Sequence, residues 1–303
     1  MPKGTNSRLA DDLLVLLDRL QGRVNGTARA AAVHKSYDVS PYPNDYVISV
    51  WQLLTGVRTH REQEVARERQ RDIVPYLDTS RPVRALDLAN GRLRPQYLLL
   101  KAAGHPVVGI DLLNRPSSGW ADRGYRIARW LYSLHIRSRG TSWPSDCLLC
   151  GDVSAMPFSD NTFDLVTSVA AFEHFLDVPA VVADLHRVMR PGGVAWVWIH
   201  VHTSPSGGHN VSFTEIPLRT IPAGIEAWDH LRKRRLPAYY PLNEWRIPQY
   251  IEAFARHFQI VEHRCAMREG EHLLTPEIEA ELAAYGRDEL TCGAYVIVAR
   301  KPL

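Results

Sequence analysis

From residue 83 onward, short apolar runs alternate with segments of helical period. Val83–Leu88 is the first run, and a helical pattern follows near 94–103. "HPVVGID", ending on Asp111, is the second run, Cys147–Cys150 the third and Phe163–Ala170 the fourth. Residues 178–190 are amphipathic and run into Pro191-Gly192-Gly193, which reads as a helix stop followed by a turn. Val194–His200 is the fifth run. Runs this short and this apolar suit strands covered on both faces by crossover helices. The pattern predicts a doubly wound, Rossmann-like α/β sheet.

The alternation breaks after His200. Residues 201–244 hold many Pro, Gly, His and aromatic residues, too long a stretch for a simple connection, and predict a lid-like insertion after the fifth strand. A helix near 246–256 leads to "HFQIVEHRCAM", and the last strand reads "GAYVIVARK". Two successive strands joined by a long excursion predict an antiparallel last strand at one edge. Upstream, leucines fall at helical spacing over 8–21, and 60–75 is a charged helix-like stretch. The expected division is an N-terminal helical extension over 1–80 and one α/β domain over 81–303, carrying the insertion 201–244.

Composition narrows the function classes. At 303 residues with 45% hydrophobic content, the chain can bury a sizeable core. No run is long and apolar enough to span a bilayer, and "MPKGTNSRLADD" lacks the apolar core of a secretion signal, so the cytoplasm is the expected location. The four cysteines are too scattered for a disulfide framework, and Cys147-Leu-Leu-Cys150 has no second pair to complete a zinc site. Net charge is +3, and Arg232-Lys233-Arg234-Arg235, the one dense basic run, reads as a solvated helix end. No nucleic-acid module or broad basic face is visible.

In a doubly wound sheet, ligands sit beyond the carboxyl ends of the strands, where the strand order reverses. "ALDLANGR" occupies the first such end: Asp87, Leu88, Ala89, Asn90 and Gly91. Asp111 ends the second strand, 20 positions after Gly91, with Leu112 beside it. A carboxylate there can accept hydrogen bonds from both ribose hydroxyls. Asp152 follows the third strand and can accept from an exocyclic amine, with the Val153 N–H facing a ring nitrogen. Ala170 ends the fourth strand. A nicotinamide dinucleotide is disfavoured, because its pyrophosphate wants G-x-G-x-x-G and this turn holds a single glycine.

These residues resemble the class I S-adenosylmethionine-dependent methyltransferases, in a methyltransferase type 11-like form. The resemblance rests on "LDLANG", "GID", "CGDVSAMPFSDNTFDLVTSVAAFEH" and "LHRVMRPGGVAWVWIH", and covers residues 83–200. It implies a seven-stranded sheet with an antiparallel last strand, S-adenosyl-L-methionine as cofactor and S-adenosyl-L-homocysteine as product. The family's opening turn is acidic-x-Gly-x-Gly-x-Gly. Here Asp87 and Gly91 match, while Ala89 and Leu93 replace the first and third glycines. Alanine serves wherever φ is negative, and Asn90 tolerates a left-handed conformation, so the turn is expected to bind. A degenerate cofactor-binding protein without methyl transfer, or a cofactor-assisted elimination, are the competing readings.

A hydroxyl acceptor needs a base, and histidine suits that task near neutral pH. His209, after Gly207-Gly208 on what reads as a flexible loop, is the first candidate, and His174, beside Glu173, the second. His202 is the third, and shares side-chain parity with His200 if the strand continues. A metal on His200, His202 and Glu173 is a rival use, but no carboxylate set at a known spacing supports it, and no metal is expected. Trp228, Tyr239, Tyr240 and Trp245, with Trp120, Tyr125 and Trp130, offer flat surfaces for an acceptor or, equally, pack against the core. "SGGHN…WDHLR…LNEWR" resembles a bacterial methyltransferase subgroup that modifies sugars, glycans or natural products. The expected function is O-methylation of a small hydroxylated molecule, with N- or C-methylation as alternatives. The expected partners are that acceptor and, at most, a second copy in a homodimer, with no nucleic acid and no membrane.

Overall fold

The computed structural model describes residues 51–114, 120–136, 147–211, 213, 221–236 and 241–303. The leucine pattern at 8–21 and the Tyr239–Tyr240 pair lie outside these residues. Seven strands make one sheet, β1 Ala85–Leu88, β2 Val107–Ile110, β3 Leu148–Leu149, β4 Phe163–Val169, β5 Met189–His200, β6 Gln259–Arg268 and β7 Cys292–Arg300. Their order is β3-β2-β1-β4-β5-β7-β6. β1 to β5 pair in parallel, and β7 is antiparallel to both β5 and β6. The expected seven-stranded sheet with its reversed last strand is therefore present.

Each central strand is buried on both faces, which is why its sequence reads as a continuous apolar run. Leu86, Leu88, Val166, Val197 and Ile199 face one core cluster with helices α4 (Val178–Val188) and α5 (Ile247–Ala255). Ala85, Leu165, Val194 and Trp196 face the other, with α1 (Val57–Ile73), α2 (Pro95–Ala102) and α3 (Trp120–Ile136). Each such leucine or valine contributes about 1.5–3 kcal/mol on full burial.

The charged stretch at 60–75 is the helix α1, and it is bound to the sheet rather than set apart from it. Ile73 enters the core, Asp72 accepts a 2.8 Å hydrogen bond from Trp196 Nε1, and Arg264 on β6 pairs with Glu68 and Asp72. Glu68 and Asp72 thus tie the helix to β6, while Arg58–Glu62 pairs within the helix.

Three local expectations need correction. Helix α4 stops at Val188, but Pro191-Gly192-Gly193 is an irregularity inside β5, not a turn before it. Register slips there, from Phe163↔Met189 to Leu165↔Val194. Gly193 is required because a Cβ would lie 2.9 Å from Arg190 O and 3.1 Å from Asp164 O. Next, Arg232–Arg235 lie in a turn region, not at a helix end. Arg232 pairs with Glu226 and Glu281, Lys233 with Glu226, Arg234 with Glu244, and Arg235 with Asp229.

The third concerns the insertion. Val201–Gly208 is buried throughout, and Gly207 and Gly208 mark close packing, not freedom. A Cβ on Gly207 would lie 2.0 Å from the His202 carbonyl oxygen, and one on Gly208 would lie 2.7 Å from His230 Cβ. Farther along, Ala227 and Trp228 pack with Leu274, Leu282 and Leu290 into a third small core. Among the described residues, no helix is long and apolar enough to cross a membrane.

Candidate active site

Strand order reverses between β1 and β4, which opens a crevice beyond their carboxyl ends. The residues expected to hold a cofactor gather on the β1–β2–β3 side of it. Asp111 is held by two backbone donors: Gly91 N–H gives to Oδ2 at 2.7 Å and Leu113 N–H to Oδ1 at 2.7 Å. These bonds lock the turn after β1 to the turn after β2.

Asn90 is a wedge between strands. Its amide nitrogen lies 2.8 Å from where a Cβ on Gly109 would sit, so a larger residue in β2 would displace Asn90. Asn114 Nδ2 donates to Asn90 Oδ1 at 3.0 Å and to Leu149 O at 3.1 Å, tying the turns after β1 and β2 to the end of β3. Asp152 lies exposed after β3, where its Oδ1 accepts from the Ser154 N–H and hydroxyl. Leu88 and Val153 turn their side chains into the core, so only their backbone is available to a ligand. The Leu88 carbonyl already accepts from the Ser168 hydroxyl. Leu112 O accepts from the Cys150 thiol.

The turn itself departs from expectation. Ala89 adopts φ 54°, Gly91 φ 63°, and Asn90 is not left-handed. Alanine therefore occupies a left-handed position, at a cost of about 1–2 kcal/mol relative to its right-handed form. Its N–H bonds to Ile110 O at 2.8 Å, which holds the conformation. Ala170, after β4, is likewise left-handed at φ 50°, with its N–H on Trp198 O.

Asp87 is 2% exposed and its Oδ2 has no hydrogen-bond partner. Burial pushes its carboxyl up to about 7, opposed by the guanidinium of Arg69. Arg69, from α1, is itself buried and bonds Gln96 Oε1 at 2.7 Å, and burial lowers it to about 10, still charged at neutral pH. Sequence reasoning missed Arg69, because one arginine in a charged helix carries no signal of burial.

The histidines collect at the ends of β4 and β5. Glu173 and His174 lie in the 3-10 turn Phe172–His174 after β4, His200 ends β5, and His209 lies in the buried loop beyond it, at φ 55°. His200 Nδ1 and His209 Nε2 are 2.6 Å apart, and the rings of His174 and His209 meet edge-on at 4.9 Å. Glu173 Oε1 lies 3.9 Å from His209 Nε2 and 4.0 Å from His174 Nε2. His174 Nδ1 is 2.9 Å from the Pro241 carbonyl, which can only accept. The neutral ring is therefore protonated at Nδ1, and the lone pair falls on Nε2.

Burial dominates the electrostatics. It pulls His200 down to about 4, with His174 and His202 adding to the effect, and holds His209 well below the ordinary imidazole value. His174 is lowered by the same cause. Burial pushes Glu173 up to about 8, partly opposed by the backbone N–H groups of Glu173 and His200, which approach it without reaching hydrogen-bond geometry. At neutral pH the imidazoles are uncharged, each with one N–H donor and one acceptor nitrogen.

His202 does not join this group. β5 ends at His200, so the shared parity does not extend to His202, whose ring instead pairs with His230 at 5.0 Å. Trp228 is fully buried and donates to Leu290 O at 3.1 Å, so it is a core residue rather than an acceptor surface. Trp245 packs on Tyr250 and Trp130 is exposed.

Residues 86–197 match the family described as a methyltransferase domain. Curated relatives include a demethylmenaquinone methyltransferase from Renibacterium salmoninarum, 28% identical over 159 residues, covering 50% of this chain and 65% of that one. A 24-methylenesterol C-methyltransferase 2 from Oryza sativa is 30% identical over 145 residues, 47% of this chain and 36% of that one. Sterol 24-C-methyltransferase ERG6 from Saccharomyces cerevisiae is 25% identical over 258 residues, 72% and 64% of the two. The chain thus spans less than two thirds of these relatives' lengths. Among solved structures, geranyl diphosphate C-methyltransferase from Streptomyces coelicolor A3(2) shares 15% identity at a TM-score of 0.48, covering 79% of this chain and 80% of that one. Sheet order, the carboxylate-lined turns and the matched family together make residues 86–197 a methyltransferase domain of the class I, S-adenosylmethionine-dependent type.

Proposed function

We propose that the protein transfers a methyl group from S-adenosylmethionine to an oxygen of a small hydroxylated acceptor, with His174 as general base. The observation that carries this reading is the juxtaposition at the sheet's rim. Carboxylate-bearing turns of β1–β3 stand beside uncharged imidazoles at the ends of β4 and β5.

The crevice suits the cofactor. Asp87 Oδ2, Asn90 Nδ2 and Asn114 Oδ1 are buried polar atoms without partners, a set that an adenosine's hydroxyls, amine and ring nitrogens complement. Asp111 and Asp152 would take the ribose hydroxyls and the exocyclic amine, with the backbone of Leu88 to Gly91, Leu112, Val153 and Ala170 lining the fit. When bound, S-adenosylmethionine supplies a methyl group on an already activated sulfonium. The protein's task is then to hold an acceptor in line and take its proton.

His174 suits that task better than His209, the first candidate by sequence. The Pro241 carbonyl fixes its tautomer, which leaves Nε2 as the accepting atom. His209 Nε2 is instead engaged with His200. Sugars, glycans and phenolic natural products are the favoured acceptors. The names of the sterol C-methyltransferase relatives support a second reading, transfer to carbon. A base that removes a phenol or enol proton serves it equally, because the resulting anion is nucleophilic at carbon.

The test is mass spectrometry of reactions containing the purified protein, S-adenosylmethionine and a panel of hydroxylated and amino acceptors. One added methyl, located by fragmentation on oxygen, is the expected product. Location on carbon would establish the second reading. No methylated product, together with no binding of S-adenosylhomocysteine by calorimetry, would overturn both.

A further inference from the structure

We propose that Glu173, His200 and His209 form a binding site for one divalent first-row transition-metal ion. The three side chains come from separate places in the chain, the turn after β4, the last residue of β5 and the loop beyond it. Each brings one ligand atom to within 4.8 Å of the others. Two imidazole nitrogens and one carboxylate oxygen form a mixed nitrogen–oxygen set. Such a set suits manganese through zinc, whereas Mg2+ and Ca2+ take all-oxygen shells.

Glu173 is the independent sign of a ligand. It is 1% exposed, and neither carboxylate oxygen makes a hydrogen bond. A buried carboxyl group with neither oxygen partnered is unfavourable in either protonation state, and a bound ion would satisfy it. Among the described residues, the His174 and His209 imidazoles stand 4.0 and 3.9 Å from Glu173 Oε1, beyond hydrogen-bond reach. A cation between the carboxylate and the imidazoles would satisfy all three groups at once.

The ligand atoms, all within 4.8 Å of one another, must adjust to close around an ion. Ligand atoms at about 2.1 Å from one ion lie roughly 3.0–3.4 Å from each other. The His200–His209 contact, 2.6 Å, must open slightly and the Glu173–His209 contact, 3.9 Å, must close slightly. A proton bridges the two rings in the metal-free form, and metal and proton compete for that gap. Three protein ligands leave open positions, which suit an acceptor oxygen. That last role rests on the methyl-transfer reading, whereas the binding of the ion does not. The site differs from the one the sequence suggested as a rival, because His209 stands where His202 was weighed.

The test uses the full chain, without an affinity tag, stripped with chelator and dialysed. Calorimetry with Zn2+, Mn2+ and Mg2+, and visible absorption with Co2+, are recorded for wild type, Glu173→Gln, His200→Ala and His209→Ala. One equivalent of Zn2+ or Mn2+ per chain should bind, with no heat from Mg2+. Each variant should lose at least about 100-fold in affinity, since even outer-shell changes cost 10–100-fold. Circular dichroism and S-adenosylhomocysteine binding serve as fold controls. The Co2+ spectrum of wild type alone should show nitrogen–oxygen coordination, even if a variant fails to fold. No stoichiometric binding by folded wild type, or binding undiminished in folded variants, overturns the site. Metal binding without homocysteine-product binding would sink the cofactor reading and leave this one standing; the reverse result would do the opposite.

Discussion

The two halves of the site are built in opposite ways. On the cofactor side, Asp87, Asn90, Gly91, Asp111 and Asp152 each lie in or just beyond a strand that places them, and Asp111 is tied by two backbone N–H groups. On the acceptor side, Glu173, His174, His200 and His209 come from a short turn, a strand end and a loop, with Pro241 closing from farther along the chain. On the first side, backbone N–H groups orient the Asp111 carboxylate, and one oxygen of the buried Asp87 has no partner. On the second, three imidazoles gather around Glu173, and neither of its carboxylate oxygens has a hydrogen-bond partner. The first half is thus pre-organised around neutral ligand atoms, whereas the second is poised for a proton, an acceptor or an ion.

The largest effect that would break this contrast is on turnover. His174→Ala should lower kcat by about 10²–10⁴-fold, the usual contribution of a general base, while leaving the affinity for S-adenosylhomocysteine unchanged. Equal loss in both would make His174 part of the cofactor side. Asp111→Ala should do the reverse, weakening S-adenosylhomocysteine by roughly 100-fold in calorimetry through lost charge-assisted hydrogen bonds and a loosened Gly91 turn. Unchanged affinity would remove Asp111 from the site.

A third measurement concerns pH. Glu173 is raised to about 8 in the folded protein, so folded chain holds a proton that unfolded chain releases near the ordinary glutamate value. Stability from this group is full below the unfolded value and is lost as pH rises toward the folded one. In chelator, Glu173→Gln should therefore gain on wild type in melting temperature between about pH 5 and about pH 9. A constant difference would mean that the carboxylate is satisfied. The smallest effect should come from Ala89→Gly. Relief of the left-handed alanine, partly offset by glycine's greater chain entropy, should add about 0.5–1 kcal/mol to stability by denaturant titration. A loss would show that the Ala89 methyl group is packed.

The sequence alone determined the sheet, because strands buried on both faces must be apolar without interruption, and runs such as Ala85–Leu88 and Phe163–Val169 are. It also pointed to the turns beyond β1, β2 and β3 as candidates for the cofactor side, because each lies within a few residues of a strand's end. Only the tertiary structure decided the rest. That Gly207-Gly208 is clamped against His202 and His230, that His209 rather than His202 meets His200, and that Arg69 faces Asp87 all depend on contacts between distant segments. The physical reason is one of range. Periodicity and turn chemistry report on neighbours along the chain, whereas a cluster of imidazoles is made by close packing of loops whose sequences carry no period to read.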